Sequence, residues 1–402
     1  MKSLETIERG AVDAAAAAPM LSQVEQWAAV NSGSRNLAGL GRMAGLLADA
    51  FAALPGTVTL VDPAPVDAVA ADGRIGAVAH GRHLHLRVRP DAPVQMLFTG
   101  HMDTVFGADH PFQSITPMAD GTINGPGLAD MKGGIAVMLA ALRAVETAPE
   151  RDRLGYEVVI NSDEEVGSPS SAALIAAAAA GKAAAFTYEP ALPDGTLAGA
   201  RSGSGNFSLI VTGKSAHAGR NPADGRNALV AAADLAVRLK ALTSATLSVN
   251  PARIDGGGPN NVVPDHAVLR VNFRPATPEA EADAAAALDS LVVTVAAEHQ
   301  VAIHRHGGFG RPPKPLDPPA ERLFALVRDC GAALGIPVAW RATGGVCDGN
   351  NIAACGIPVV DTMGVRGGAI HSGEEYLIPE SLPERAMLSA LAILRIARGG
   401  RP

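Results

Sequence analysis

Aromatic side chains make up only 3% of this 402-residue chain, and cysteine occurs three times, at Cys330, Cys347 and Cys355. An odd number of cysteines with no CxxC pair argues against a disulfide framework or a thiolate metal site and fits a reducing compartment. No cluster of Lys and Arg accompanies the net charge of −7. The footprint of a nucleic-acid binder is therefore missing, which excludes nucleic acid as the main partner. The opening MKSLETIERGAVDAAAAAPM holds three acids and a run of five alanines, too short and too weakly apolar for a signal segment. The alanine-rich stretch 171–186, interrupted by Lys182, reads as a surface-packed helix and not as a membrane span. A cytoplasmic protein with no membrane partner is expected. Apolar residues, in contrast, reach 48%, enough to fill the cores of a globular enzyme of two or three domains.

The first 190 residues alternate strand and helix signals, with strands at 57–63, 83–89, 94–100, 156–162 and 184–190 and a helix at 132–147. That rhythm predicts an α/β fold with a largely parallel sheet covered by helices. A different order begins near Arg201: strand 205–213, helix 224–242, strands 245–254 and 266–274, helix 278–300, strand 301–306. This β-α-β-β-α-β succession is that of a ferredoxin-like module. After the proline-rich 311–319 the α/β rhythm returns, with a helix at 319–335, strands at 337–342 and 358–364 and a last helix near 379–398. The expected division is a catalytic domain over 1–200 and 313–402, interrupted by an inserted domain over 201–312.

Five segments put an acid or histidine at or just after a strand end: GHMDTV (100–105), GPGLADMKGG (125–134), NSDEEVGS (161–168), TYEPA (187–191) and AIHSGEEY (369–376). Open α/β sheets gather their active sites at such ends. His101, Asp130, Glu165, Glu189 and His371 form a mixed nitrogen and oxygen set of the kind a hydrolytic zinc pair uses, with Glu164 left over. Each has an ordinary alternative. HxD at a strand end is also a capped turn, Asp130 ahead of a helix is also a cap or a carboxylate favoured by the dipole, and paired glutamates at a strand end are commonly just solvated. Their joint occurrence on one sheet edge favours the site. Asp103, two residues past His101, is placed to bond its second ring nitrogen.

Two competing motifs fail. GKS at 213–215 lacks the first glycine of a phosphate loop, having Ser208 there, and is not followed by a helix. Gly345-Val346-Cys347-Asp348-Gly349 has the outline of a nucleophile elbow, but it would need a base outside the metal set, and no GxSxG occurs.

Taken together, HMDTV, GPGLADMKGG, DEEVGS, YEP, GKSAHAG, NNVVP, GRP and HS resemble the M20 family of metallopeptidases and aminoacylases, nearest its glutamate carboxypeptidase branch. The resemblance covers nearly the whole chain from about residue 20. It implies a zinc-peptidase-like mixed sheet with helices on both faces and an inserted ferredoxin-like domain that serves as lid and homodimer contact. It implies two zinc ions, with cobalt or manganese as substitutes: His101 and Glu189 on one, Glu165 and His371 on the other, Asp130 bridging. Glu164 matches the general base and Asp103 the residue orienting His101. His217 matches a histidine that crosses a dimer interface, and Asn261, Arg274 and Arg311 match substrate-facing positions. The chain departs from the branch at TGGVCDGNN, where Cys347 stands in place of the usual threonine, and at Arg366, a candidate second anionic contact. The implied activity is cleavage of an amide in an N-acyl amino acid or small peptide with a free carboxylate. Aminoacylase, desuccinylase or dipeptidase activity is the near alternative, and a non-catalytic binding dimer a remoter one.

Overall fold

The computed structural model describes residues 4–400. Six strands form one sheet in the order Thr57–Val61, His83–Val88, Leu154–Asn161, Val94–His101, Ala184–Thr187, Val359–Val360. The last three pairings are parallel and the first two antiparallel, so the sheet is mixed, as the family resemblance implies, where the alternation of elements alone predicts a largely parallel one. The reason is local. Thr57–Val61 and His83–Val88 are joined through an excursion, residues 62–82, that contains no crossover helix and a short hairpin, Asp67–Val69 against Ile75–Ala77. Parallel pairing of successive strands needs such a crossover.

Side chains alternate between the faces of a strand, and here the two faces feed two cores. Met96, Phe98, Val158, Ile160, Ala184 and Phe186 join the large cluster. Leu97, Val159 and Ala185 join a smaller one with Ile175 and Ile352. Helices cover both faces: Gly133–Val145 and Ser381–Ala397 contribute to the first core, Ala172–Ala179 and Asp348–Ala354 to the second. Three N-terminal helices, Thr6–Ala16, Met20–Ala28 and Leu37–Phe51, also pack on the large core. The alanine-rich stretch 171–186 is a helix only as far as Ala179, and its end is the buried strand Ala184–Thr187. No helix among the described residues is long and apolar enough to cross a membrane.

The helix Gly133–Val145 lies close under the sheet because its start has no side chains. A Cβ on Gly134 would sit 1.9 Å from the Tyr188 carbonyl oxygen. Gly134→Ala is therefore expected to destabilise the protein by about 1–3 kcal/mol through overpacking, seen as a lower urea midpoint with an unchanged slope.

A second, four-stranded antiparallel sheet has the order Leu247–Gly256, His266–Pro275, Ser204–Thr212, Ala302–Arg311. Ala228–Lys240 and Pro278–His299 pack on one face, burying Leu209, Leu235, Leu269, Phe273 and Leu288 in a core of their own. Asn206 and Arg274, on the other face, line the cleft described next.

Candidate metal centre

Parallel register brings the chemistry together. Val94–His101 ends on His101, and Leu154–Asn161 pairs with it so that Asn161 lies beside His101. The chain then leaves through Asp163 into a short turn, Glu164–Val166. Ala184–Thr187 delivers Glu189 two residues beyond its end. Asp130 comes from a distorted turn, Leu128–Lys132, where its φ of −117° and ψ of 89° depart from helical values before the helix proper begins. His371 comes from the turn between Gly367–Gly368 and Tyr376–Leu377, at φ +64°.

Asp130 stands between two histidines. Its Oδ1 lies 3.0 Å from His101 Nε2 and its Oδ2 3.3 Å from His371 Nε2. Glu189 Oε1 is 3.8 Å from His101 Nε2, and Glu165 Oε2 is 3.1 Å from His371 Nε2. Asp103 sits behind His101, with its carbonyl 3.0 Å and its Oδ1 3.4 Å from Nδ1. The same carboxylate accepts the backbone N–H of Glu164 at 3.1 Å and of Glu165 at 3.2 Å, and the Ser34 hydroxyl at 2.7 Å. One buried aspartate thus holds both the histidine and the glutamate turn. Glu375 plays the matching part for Asp130: its Oε1 accepts the N–H groups of Ala129 at 3.0 Å and Asp130 at 3.1 Å.

The electrostatics of this cluster call for cations. Burial, with Glu189 and Asp130 adding and Arg311 opposing, pushes Glu164 up to about 7. Burial and the Asp130 charge push Glu165 up to about 8, against the hydrogen bond from His371. Burial also raises Glu189. Asp130 goes the other way: burial opposes ionisation, but the hydrogen bonds from His101 and His371 hold it well below the usual carboxylate range. Burial disfavours a charged His101, yet its contacts with Asp103 and Asp130 and the nearby Glu189 charge outweigh that and hold the ring well above its ordinary value. Bonds to Asp130 and Glu165 raise His371 to about 11.

Two trios have donor atoms within 4.8 Å of one another, His101 with Asp130 and Glu165, and His101 with Glu164 and Glu189. The Glu189 Oε1 atom is buried and has no hydrogen-bond partner. Crowded buried carboxylates with an orphaned oxygen are satisfied by protons or by cations. Mixed imidazole and carboxylate donors suit divalent ions of the zinc class. The residues fit a two-metal centre.

A cleft of about 1390 Å³ opens over the cluster. Arg201, Arg274, Arg311 and Arg341 line it, together with Cys347. Arg274 bonds Asn272 through Nε at 2.9 Å. Arg311 is 6% exposed and pairs with Glu164 Oε1 at 2.7 Å. Cys347 is buried at the start of Asp348–Ala354, its thiol raised well above the ordinary range by burial. Three other expected site residues lie elsewhere. His217 is exposed on a two-residue ribbon, its Nδ1 accepting the N–H groups of Gly219 and Arg220 at 3.1 Å each, with Asn261 on the adjoining turn. Arg366 turns away from the cleft, bonding Pro193 O at 3.2 Å and Glu384 Oε2 at 3.2 Å.

Sequence reasoning missed Glu375 and Arg201. The first stands four residues after His371 in a segment already singled out, and its position beside two glycine-flanked backbone amides is a tertiary fact. The second is a buried arginine at the end of a strand, Leu197–Arg201, whose pairing with Trp340–Thr343 spans the inserted segment.

The sequence profile of Peptidase family M20/M25/M40 matches residues 97–395. Among characterised relatives, carboxypeptidase G2 of Pseudomonas sp. (strain RS-16) is 31% identical over 322 residues, 76% of this chain and 74% of the relative. A succinyl-diaminopimelate desuccinylase of Verminephrobacter eiseniae (strain EF01-2) is 28% identical over 308 residues, 70% and 74% of the two chains. The fold is also that of a tripeptidase from Staphylococcus aureus, with a TM-score of 0.72 at 23% identity over 94% of this chain and 97% of that one.

Proposed function

The chain belongs to peptidase family M20/M25/M40 and is a metallo-hydrolase acting on C–N amide bonds, and from that premise we propose that it cleaves N-acyl amino acids or small peptides bearing a free carboxylate, in the manner of a glutamate carboxypeptidase. The observation that carries the reading is Asp130, whose two oxygens face two different histidines at 3.0 and 3.3 Å. His101 and Glu189 would hold one zinc ion, His371 and Glu165 the other, with Asp130 between them. Cobalt or manganese would serve in zinc's place, because such donors accept several divalent ions. When bound, the pair acidifies a water molecule and polarises the scissile carbonyl.

The chain's own residues do the rest. Asp103 fixes the His101 ring through Nδ1, leaving Nε2 for the metal side. Glu164 takes the proton from the attacking water and returns it to the leaving nitrogen; its placement, buried and close to neutral pKa, suits both transfers. Arg274 on the cleft wall receives the substrate carboxylate, a task for which a guanidinium fork is suited. We read 1–200 and 313–402 as the catalytic domain and 201–312 as an inserted ferredoxin-like lid and dimerisation domain; the separate core of the four-stranded unit supports that division. In a homodimer, His217 and Asn261 would reach the second copy's site. Arg366 has no substrate role in this reading, since Glu384 and Pro193 engage it.

A desuccinylase-type deacylase is the second reading, favoured by the additional, exposed guanidinium group of Arg341 on the cleft wall, which suits a second carboxylate. A panel of N-acyl and N-succinyl amino acids, dipeptides and folate-like glutamates, assayed with zinc, cobalt or manganese, separates the two. About two metal ions per chain are expected, and masking the carboxylate should lower kcat/KM by about 10²-fold. Equal hydrolysis of carboxylate-free amides would overturn the proposal, and a metal-free, inert protein would favour a binding dimer.

A further inference from the structure

The chain enters and leaves the four-stranded unit through two segments that run side by side. Arg201 and Lys314 each donate a backbone N–H to the other's carbonyl at 2.9 Å. Their side chains converge on one buried carboxylate outside that unit, Asp361, whose Oδ2 is 2.7 Å from Arg201 Nε and 2.9 Å from Lys314 Nζ. Asn350, also buried, donates from Nδ2 to Ser202 O at 3.0 Å and to Pro312 O at 2.8 Å. One carboxylate and one amide therefore grip both segments at the same level. Buried polar groups of this kind fix geometry more than they add stability. They make the crossing point a pin.

Three residues before Lys314, Arg311 leaves the pin and reaches the reacting groups. It ends the strand Ala302–Arg311. Its Nη2 lies 2.7 Å from Glu164 Oε1, 2.9 Å from Glu164 O and 2.9 Å from Ser168 Oγ. On the sheet side Asp348 stands 3.5 Å from the same nitrogen, itself held by Asn161 at 2.8 Å. The outermost strand of the four-stranded sheet thus terminates on the side chain and backbone of the glutamate beside the metal cluster. A rotation of that sheet about the pin moves the end of the strand, and with it the grip on Glu164.

We propose that Arg311 is a positioning residue that sets the Glu164 carboxylate according to the orientation of the four-stranded unit, the segments held by Asp361 and Asn350 acting as the axis. The inference rests on Glu164 being the base. It gives Arg311 a task distinct from that of Arg274, which lines the same cleft from His266–Pro275, on the other side of the strand Ser204–Thr212.

The test uses Arg311→Ala and Arg311→Lys in the full-length, metal-loaded protein, with an N-acyl amino acid and its carboxamide as substrates. Misplacing the base should lower kcat by about 10²-fold for Arg311→Ala while KM stays within about threefold, by the same factor on both substrates. Arg311→Lys, which keeps the charge beside Asp348 and stays folded if the alanine variant does not, should recover part of kcat. A loss seen in KM and confined to the carboxylate substrate would overturn the proposal and make Arg311 a substrate contact. If the carboxamide is not turned over, the kcat-against-KM split on the acid decides alone. Asn350→Ala should raise amide hydrogen exchange at 201–204 and 311–314 and lower kcat in the same direction; unchanged exchange and kcat would remove the pin. An inert Glu164→Gln variant shows that the functional reading stands whatever Arg311 does, whereas an active one overturns that reading first.

Discussion

Glu164→Gln is expected to lower turnover by about 10²–10⁴-fold, the range that general acid–base catalysis contributes, with metal content unchanged. Glutamine has nearly the shape of the glutamate it replaces. The local backbone is held independently of the side chain, since Asp103 Oδ1 accepts the Glu164 N–H at 3.1 Å and Arg311 Nη2 reaches the Glu164 carbonyl at 2.9 Å. The five residues assigned to the metals are untouched. What disappears is a group that can take a proton and give it back, so the loss should fall on kcat and leave KM close to that of the parent. Metal analysis of the purified variant and steady-state kinetics on the best substrate check it. A variant that keeps its metal and works within tenfold of the parent would remove Glu164 from the mechanism.

Stripping the metal should abolish activity and make stability depend on pH in a definite direction. In the metal-free fold Glu164 and Glu165 titrate near 7 and near 8 in place of the ordinary 4.5. Between 4.5 and 8 the folded protein then holds more protons than the unfolded one, so stability falls as pH rises through that window. It is fully retained below 4.5. His101 and His371, raised above 6.5, act in the same direction at the upper end. Asp130, held below 3.8, acts oppositely but only in stronger acid. Each of the two glutamates should account for on the order of 3–5 kcal/mol across the window. Calorimetry at pH 5, 6.5 and 8 should show the stripped protein melting lower at each step up, while the loaded protein changes much less. A stripped protein with a flat pH profile would mean that the carboxylates are not mutually strained.

Much of this centre was legible in the chain because several ligand candidates lie at or just after the end of an apolar run. His101 and Glu189 needed only strand periodicity, and the parallel register of Val94–His101 with both its neighbours then made convergence a consequence of topology. Asp130 was legible as a residue in a glycine-rich loop before a helix. The conformation that aims its two oxygens at two rings was not. Asp163 shows the limit from the other side: adjacent to the glutamate pair and equally acidic, it turns inward to accept from Ser170 and Ser171 and has no part in the cluster. Composition cannot separate neighbours of like charge when a single turn decides which faces the cleft. Arg366 stands near the expected site in sequence, yet its guanidinium is drawn to Glu384 on the C-terminal helix. The mixed sheet followed only from the family resemblance, because nothing in a strand's own residues states the direction of its neighbour.

The adjacency of Arg201 and Lys314 also bears on how such a chain could have been assembled. Seen from the larger sheet, everything between these residues is attached as a side branch whose two ends are already touching. Closing that branch adds little conformational restriction to the rest of the chain, since the entropy of a loop grows only slowly with its length once the ends are held. The host fold is accordingly indifferent to how much sequence the branch contains or which structure it adopts. Exchange, enlargement or trimming of the branch over evolutionary time would leave the strand ends bearing His101 and Glu189 where they are.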